Sequence, residues 1–202
     1  MSALAEHYAK DRERFTKLMD PSIYDRYPNS KERQEVRQRR ARELIPADRL
    51  KAARAAGFDT ARIYYHATQK PWTSGIPNRD AANFNHTEWG DGLYMTESVG
   101  MALRYGLDDF FTDRPVPNGS VLMPFVLRKD AKIFHFGSDG FKRDQRHRLE
   151  DPSGVTKKLK LRGLDGAFNP NRTQLVVWNT DKVRHIDAAF EPSARTSRDI
   201  FA

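Results

Sequence analysis

The chain of 202 residues contains no cysteine. Disulfides and thiolate metal sites are therefore excluded, and the redox compartment stays undecided. No apolar run approaches the roughly 18–20 residues that a membrane-spanning helix needs. The opening residues MSALAEHYAKDRERF lack the apolar stretch of a secretory signal, so a cytoplasmic protein with no membrane partner is expected. Internal repeats and low-complexity tracts are missing. So are the Walker A loop, H-E-x-x-H, the EF-hand loop, G-x-S-x-G and G-x-G-x-x-G, which argues against a Rossmann domain. None of the six histidines (His7, His66, His86, His135, His147, His185) stands at zinc-like spacing from another, so no metal is expected.

What the chain does have is positive charge. Its formal net charge is +8 and its pI is near 9.8. A basic surface favours polyanions by steering and counterion release, although the same charge also serves solubility. Hydrophobic residues make up 38 % of the chain and mean hydropathy is −0.78, low but workable for one ordinary core.

Residues 1–57 read as a helical, basic N-terminal extension. A helix over Ala3–Met19 ends at Pro21. Asn29 and Glu32 form a capping box for a second helix over about residues 30–44. Arginine and lysine dominate that helix, and Val36 and Leu44 give it only a thin packing stripe. It is either a solvated face or a basic arm for nucleic acid or an acidic partner, with Arg33, Arg37 and Arg40 as candidate contacts. A third helix from Ala47 to Ala56 stops at Gly57, a natural C-terminal glycine.

Residues 58–202 read differently. Ala61–His66 is a strand rich in β-branched and aromatic residues. A long polar loop follows over residues 67–91, and such loops are usually functional. Leu93–Thr96 is a short strand, and Ser98 caps a helix to about Tyr105. Ser120–Arg128 is a strand whose Pro124 implies an edge or a bulge, with residues 131–136 as its extension. Gly166–Phe168 and Gln174–Trp178 form a strand pair, Lys182–Ile186 a last strand, and the tail from Ala188 is extended. Short antiparallel strands with helices segregated to the N-terminal side predict an α+β fold.

Two features of this part carry chemistry. His66 ends an apolar strand and projects from a sheet edge, either as a satisfied histidine or toward whatever the next loop encloses. Tyr94 and Tyr105 flank a strand–turn–helix that can bring two rings face to face. Such a pair holds a planar ring by stacking, and a cationic ring gains about 0.5–2 kcal/mol more from cation–π attraction. Both tyrosines could equally be core aromatics.

Taken together, Tyr65-His66-Ala67-Thr68, the segment Gly92-Leu93-Tyr94 with Tyr105 eleven residues on, and the strand Leu175-Val176-Val177-Trp178 resemble the ADP-ribosyltransferase superfamily. The similarity is to its His-Tyr-Glu branch, which includes diphtheria toxin and the poly(ADP-ribose) polymerases. Gly163-x-Asp165-Gly166, Asn179-Thr180-Asp181-Lys182-Val183-Arg184 and Ala189-Phe190-Glu191-Pro192 resemble the ends of bacterial and phage-associated members. The resemblance covers about residues 60–200 and implies a split antiparallel β-sheet core with NAD as substrate. It implies that His66 hydrogen-bonds the adenosine ribose and that the backbone of Ala67, beside Thr68, faces the carboxamide. Tyr94 and Tyr105 would sandwich the nicotinamide. Ala102 stands where the family often has a carboxamide-binding serine.

The largest departure is Gln174, which stands where the family has glutamate. Glutamine can hold a ribose hydroxyl. It cannot supply the negative charge that stabilises an oxocarbenium-like sugar, nor act as a general base. Chain-extending polymerase activity is therefore not expected. Glu88, Asp91 and Glu191 are candidates to replace the charge. The resemblance implies single ADP-ribose transfer to a protein or nucleic-acid acceptor, in a toxin, effector or phage-takeover role, with a cognate antitoxin as a further partner. The alternatives are a catalytically inactive NAD-fold module acting through residues 30–44, and NAD hydrolysis.

Overall fold

The computed structural model describes residues 3–20, 22, 26, 30–68, 92–107, 120–136, 152–169, 173–190, 197 and 199–201. Among the described residues the fold is α+β, with seven strands in one mostly antiparallel sheet. Helices α1 (Ala3–Leu18), α2 (Ser30–Glu43) and α3 (Ala47–Ala55) precede strand β1 (Phe58–Thr68). Then come β2 (Leu93–Thr96), α4 (Val99–Leu107), β3 (Val121–Arg128), β4 (Ile133–His135), α5 (Pro152–Leu161), β5 (Gly166–Asn169), β6 (Gln174–Val177) and β7 (Val183–His185). The sheet order is β4-β5-β6-β2-β1-β3-β7, with β4 and β5 the parallel pair.

The period-two alternation of strand side chains divides the apolar core between the two faces of the sheet. Ile63, Tyr65 and Ala67 of β1 face Leu18, Ala41, Ala53, Val99 and Leu103 of the helices and Ile45 of the turn between α2 and α3. Tyr64 faces the other way, with Met95, Met123, Phe125, Leu175, Ile200 and Phe201. With both faces covered, Tyr64–Thr68 is buried without interruption. The helices before β1 thus share a core with the sheet, a packing that the charged sequence of α2 hides.

Several expectations change. His66 is not at a sheet edge, because β1 has β2 on one side and β3 on the other. Residues 133–135 do not extend β3. They cross to the opposite edge, where the Asp165 carboxylate accepts from the Lys132 N–H at 2.8 Å and the Asp165 N–H donates to the Lys132 carbonyl at 2.8 Å. β3 is likewise not an edge strand. Pro124 is tolerated there because its carbonyl accepts from Ile186 N, which puts its missing N–H on the same side, past the last ladder pair with β7. The tail is not simply extended, since the Ile200 carbonyl accepts from His185 N at 2.7 Å and both Ile200 and Phe201 are buried.

β1 also begins earlier than expected. Its register against β3 slips between Asp59 and Tyr64. The carbonyls that this irregularity frees are taken up by Arg42, which donates to Thr60 O at 3.0 Å and Ala61 O at 3.2 Å. At Gly92 the neighbouring backbone approaches closely. A Cβ there would lie 2.6 Å from Val176 Cγ2 and 3.0 Å from the Val177 carbonyl, so β2 seats on β6 only because the position is glycine.

Candidate functional site

β1 and β2 pair at a single register, Tyr65 opposite Thr96. Beyond it the backbones are joined by a side chain: His66 Nδ1 lies 2.8 Å from the Tyr94 carbonyl. The carbonyl can only accept, so Nδ1 carries the proton and Nε2 is the acceptor nitrogen. The seam opens a cavity of about 60 Å³ lined by Tyr65, His66, Ala67, Tyr94, Met95, Thr96, Ala102 and Gln174. Five of the sequence candidates, His66, Ala67, Tyr94, Ala102 and Gln174, therefore meet at one place. Ligand pockets for drug-sized molecules run to about 300–1,000 Å³, so these residues form one part of the wall a dinucleotide would need.

Strand pairing explains the convergence. Thr96 pairs with Gln174 and Tyr94 with Val176, so Tyr94, Thr96 and Gln174 share the face that carries Tyr65 and Ala67. Ala102 comes from α4, whose start is doubly fixed. Ser98 Oγ accepts from Met101 N at 3.3 Å, as a helix cap does. Gln38 of α2 adds a clamp that sequence reading missed, accepting from Val99 N and donating to the Glu97 carbonyl, both at 2.8 Å. His66 belongs by register to the opposite face, across from Met123.

Thr68 is buried and does not line the cavity. Tyr105 lies within α4, and its side chain is outside the described residues, as are Glu88, Asp91, Glu191 and the candidate cap Asn29. Arg37 is buried at 8 % exposure, turned toward the protein rather than along an outward basic face. Arg33 and Arg40 are half-buried, whereas Lys31, Arg39 and Arg42 are exposed.

Gln174 Oε1 is buried and has no hydrogen-bond partner among the described residues. A buried acceptor without a donor costs about 1–3 kcal/mol, so the cavity holds an unmet demand for a hydroxyl or an N–H. The preceding residue is also under strain. Thr173 has φ 48, a left-handed conformation that β-branched residues rarely adopt, with a cost of about 1–3 kcal/mol. It is held there by a 3.0 Å contact between the Thr173 and Thr96 hydroxyls, and Thr96 Oγ1 also accepts from Ser98 N at 3.1 Å.

The described lining of the cavity carries no carboxylate and no basic side chain that is charged at neutral pH. Burial pushes the His66 imidazole down to about 4, against the small opposing effect of the Tyr94 carbonyl. At neutral pH it is an uncharged hydrogen-bonding group and a poor general base. The unfolded chain takes up a proton near pH 6.5 and the folded chain only near pH 4, so the unfolded state binds more protons between them. Stability is therefore expected to fall as pH drops from about 6.5 toward 4, and His66→Gln is expected to flatten that slope in urea titrations across this range.

A second cleft, of about 860 Å³, lies on the same face and shares Tyr65 with the cavity. Arg39, Arg42 and Arg62 line it together with Glu35, Glu43 and Glu97, so its charge is mixed.

No protein-family model matches the chain, and neither a curated protein nor a solved structure matches it.

Proposed function

We propose that the chain is a mono-ADP-ribosyltransferase that moves ADP-ribose from NAD to a macromolecular acceptor. The observation that carries the reading is the seam cavity. It gathers His66, Ala67, Tyr94, Ala102 and Gln174 around a buried glutamine oxygen that lacks a donor among the described residues. A ribose hydroxyl supplies that donor. The neutral His66 offers Nε2 as an acceptor for a second hydroxyl, and the Tyr94 ring is the wall against which a flat cationic ring stacks. On this reading the one-pair ladder between β1 and β2 is the opening of a split sheet.

The chemistry is breakage of the bond between nicotinamide and the ribose anomeric carbon. The bonding pair leaves with the nicotinamide, which becomes neutral. An acceptor oxygen or nitrogen bonds to the anomeric carbon and gives up its proton. The described lining holds no carboxylate for the positive sugar, so an acceptor carboxylate or phosphate, or one of Glu88, Asp91 and Glu191, supplies that charge.

The absence of a carboxylate from the described lining also favours a second reading, an inactive NAD-fold module that binds partners through α2. Incubation with labelled NAD and candidate protein, RNA and DNA acceptors separates the two. Transfer of label supports the first reading. NAD binding with no transfer to any acceptor supports the second. Tyr94→Ala is expected to weaken NAD binding about tenfold, as loss of about 1.4 kcal/mol of stacking would. Unchanged affinity in equilibrium titration would remove the clamp from the proposal.

A further inference from the structure

The edge of the sheet formed by β7 holds a cluster of buried ionisable groups that the seam cavity does not use. His7 comes from α1, His185 is the last residue of β7, and Asp187 follows it. One nitrogen from each imidazole and one carboxylate oxygen lie within 4.8 Å of one another. We propose that His7, His185 and Asp187 form a binding site for a divalent transition metal of the zinc class.

The hydrogen bonding orients the ligands. His185 Nε2 lies 2.9 Å from Asp11 Oδ2. A carboxylate only accepts, so Nε2 carries the proton and Nδ1 keeps its lone pair. An imidazole that donates its far N–H to a carboxylate is the usual support of a metal-binding histidine. Nδ1 accepts one bond, from Asp187 N at a long 3.2 Å, and a metal that displaces it must outweigh the cost of the orphaned N–H, about 1–3 kcal/mol. His7 is 9 % exposed, and its Nδ1 is buried with no hydrogen-bond partner among the described residues. Its ring stacks on Phe201 at 5.1 Å and meets His185 edge-on at 5.4 Å, so it is already turned toward the cluster.

Charge points the same way. Asp11 and Asp187 are two buried carboxylates against one guanidinium, that of Arg14. His185 donates at Nε2 to Asp11 and accepts at Nδ1 from Asp187 N. The exposed Lys10 adds only a screened charge. A cation supplies what is missing. Arg14 grips both Asp187 oxygens, at 2.6 and 2.7 Å, but each oxygen keeps a further lone pair. Two nitrogens and one oxygen suit zinc, cobalt or nickel rather than calcium or magnesium. Bonds of about 2.0–2.2 Å require the three atoms to draw together, a movement of His7 on α1.

The full chain, stripped with chelator, is titrated with zinc by calorimetry and with cobalt(II) by visible absorption, and thermal unfolding is followed with and without zinc. One zinc per chain, a raised Tm and the intense visible bands of low-coordinate cobalt are expected. His7→Gln should cost more than the about 10–100-fold that losing an outer partner costs, and Asp11→Asn should fall in that range. His135→Gln, on a half-exposed strand at the opposite edge, should bind as the wild type does. An unchanged Tm with no stoichiometric binding by the wild type overturns the proposal, as does equal affinity in a folded His7→Gln. The cobalt spectrum of the wild type decides the matter even where a variant fails to fold.

Discussion

Gln174→Glu is expected to raise nicotinamide release from NAD by about 100-fold, with NAD affinity changed only a few-fold. The magnitude follows from what one well-placed electrostatic partner contributes to a charge-separating step, about 10²–10³ in rate. On the proposed reading, glutamate keeps the shape of glutamine and its carbonyl oxygen, so the ribose hydroxyl is still held. What it adds is a full negative charge beside the sugar carbon that becomes cationic. The setting also predicts a pH signature. The described lining offers the new carboxyl no cation, and burial disfavours its charged form, so the gain should grow as pH rises through a carboxyl pKa above the ordinary value. Single-turnover nicotinamide release, followed by chromatography from pH 5 to 8, measures both effects. A fall in rate would assign glutamine a task that needs its amide N–H.

The second large effect concerns stability. Arg14→Met is expected to lower the unfolding free energy by about 3–5 kcal/mol, the usual cost of removing one partner from a buried ion pair. Arg14 bonds both Asp187 oxygens and adds a 3.1 Å contact to Asp11, and the Asp187 side chain is only 2 % exposed. Burial works against both charges. The Asp187 bonds still hold the guanidinium above its ordinary pKa, and the Arg14 bonds hold the Asp187 carboxyl below its own. Domains of this kind are stable by about 5–15 kcal/mol, so the loss is a large share of the total. Urea unfolding at pH 7 reads it directly. Arg14→Met combined with Asp187→Asn should cost less than the sum of the two single changes, because the carboxylate stranded by the first is absent.

The sequence was informative where structure is local. Helix ends at Leu18, Glu43 and Ala55, the Ser98 cap, and the strands beginning at Leu93, Gly166 and Gln174 follow from periodicity, capping chemistry and glycine placement. The association of His66, Ala67, Tyr94, Ala102 and Gln174 was legible too, but only through the resemblance, since nothing in their spacing requires them to share a cavity. What could not be read depends on contacts across the chain. β4 crosses to the far edge, where Lys132 bonds Asp165, and α2 seats on a core that its charged sequence masks. The meeting of His7 with His185 depends on the first helix packing against the last strand. Spacing rules for metal ligands look along the chain and miss side chains brought together from distant segments.

The clamp made by Gln38 has a mechanical consequence. One side chain of the N-terminal helices ties down both the Glu97 carbonyl and the Val99 N–H, the entry to the helix that carries Ala102 into the cavity. A rigid helix transmits displacement of its first turn along its length. Any load on α2, whether a partner pulling at its exposed arginines or a cut that removes it, therefore arrives at the cavity wall as a change in the position of Ala102.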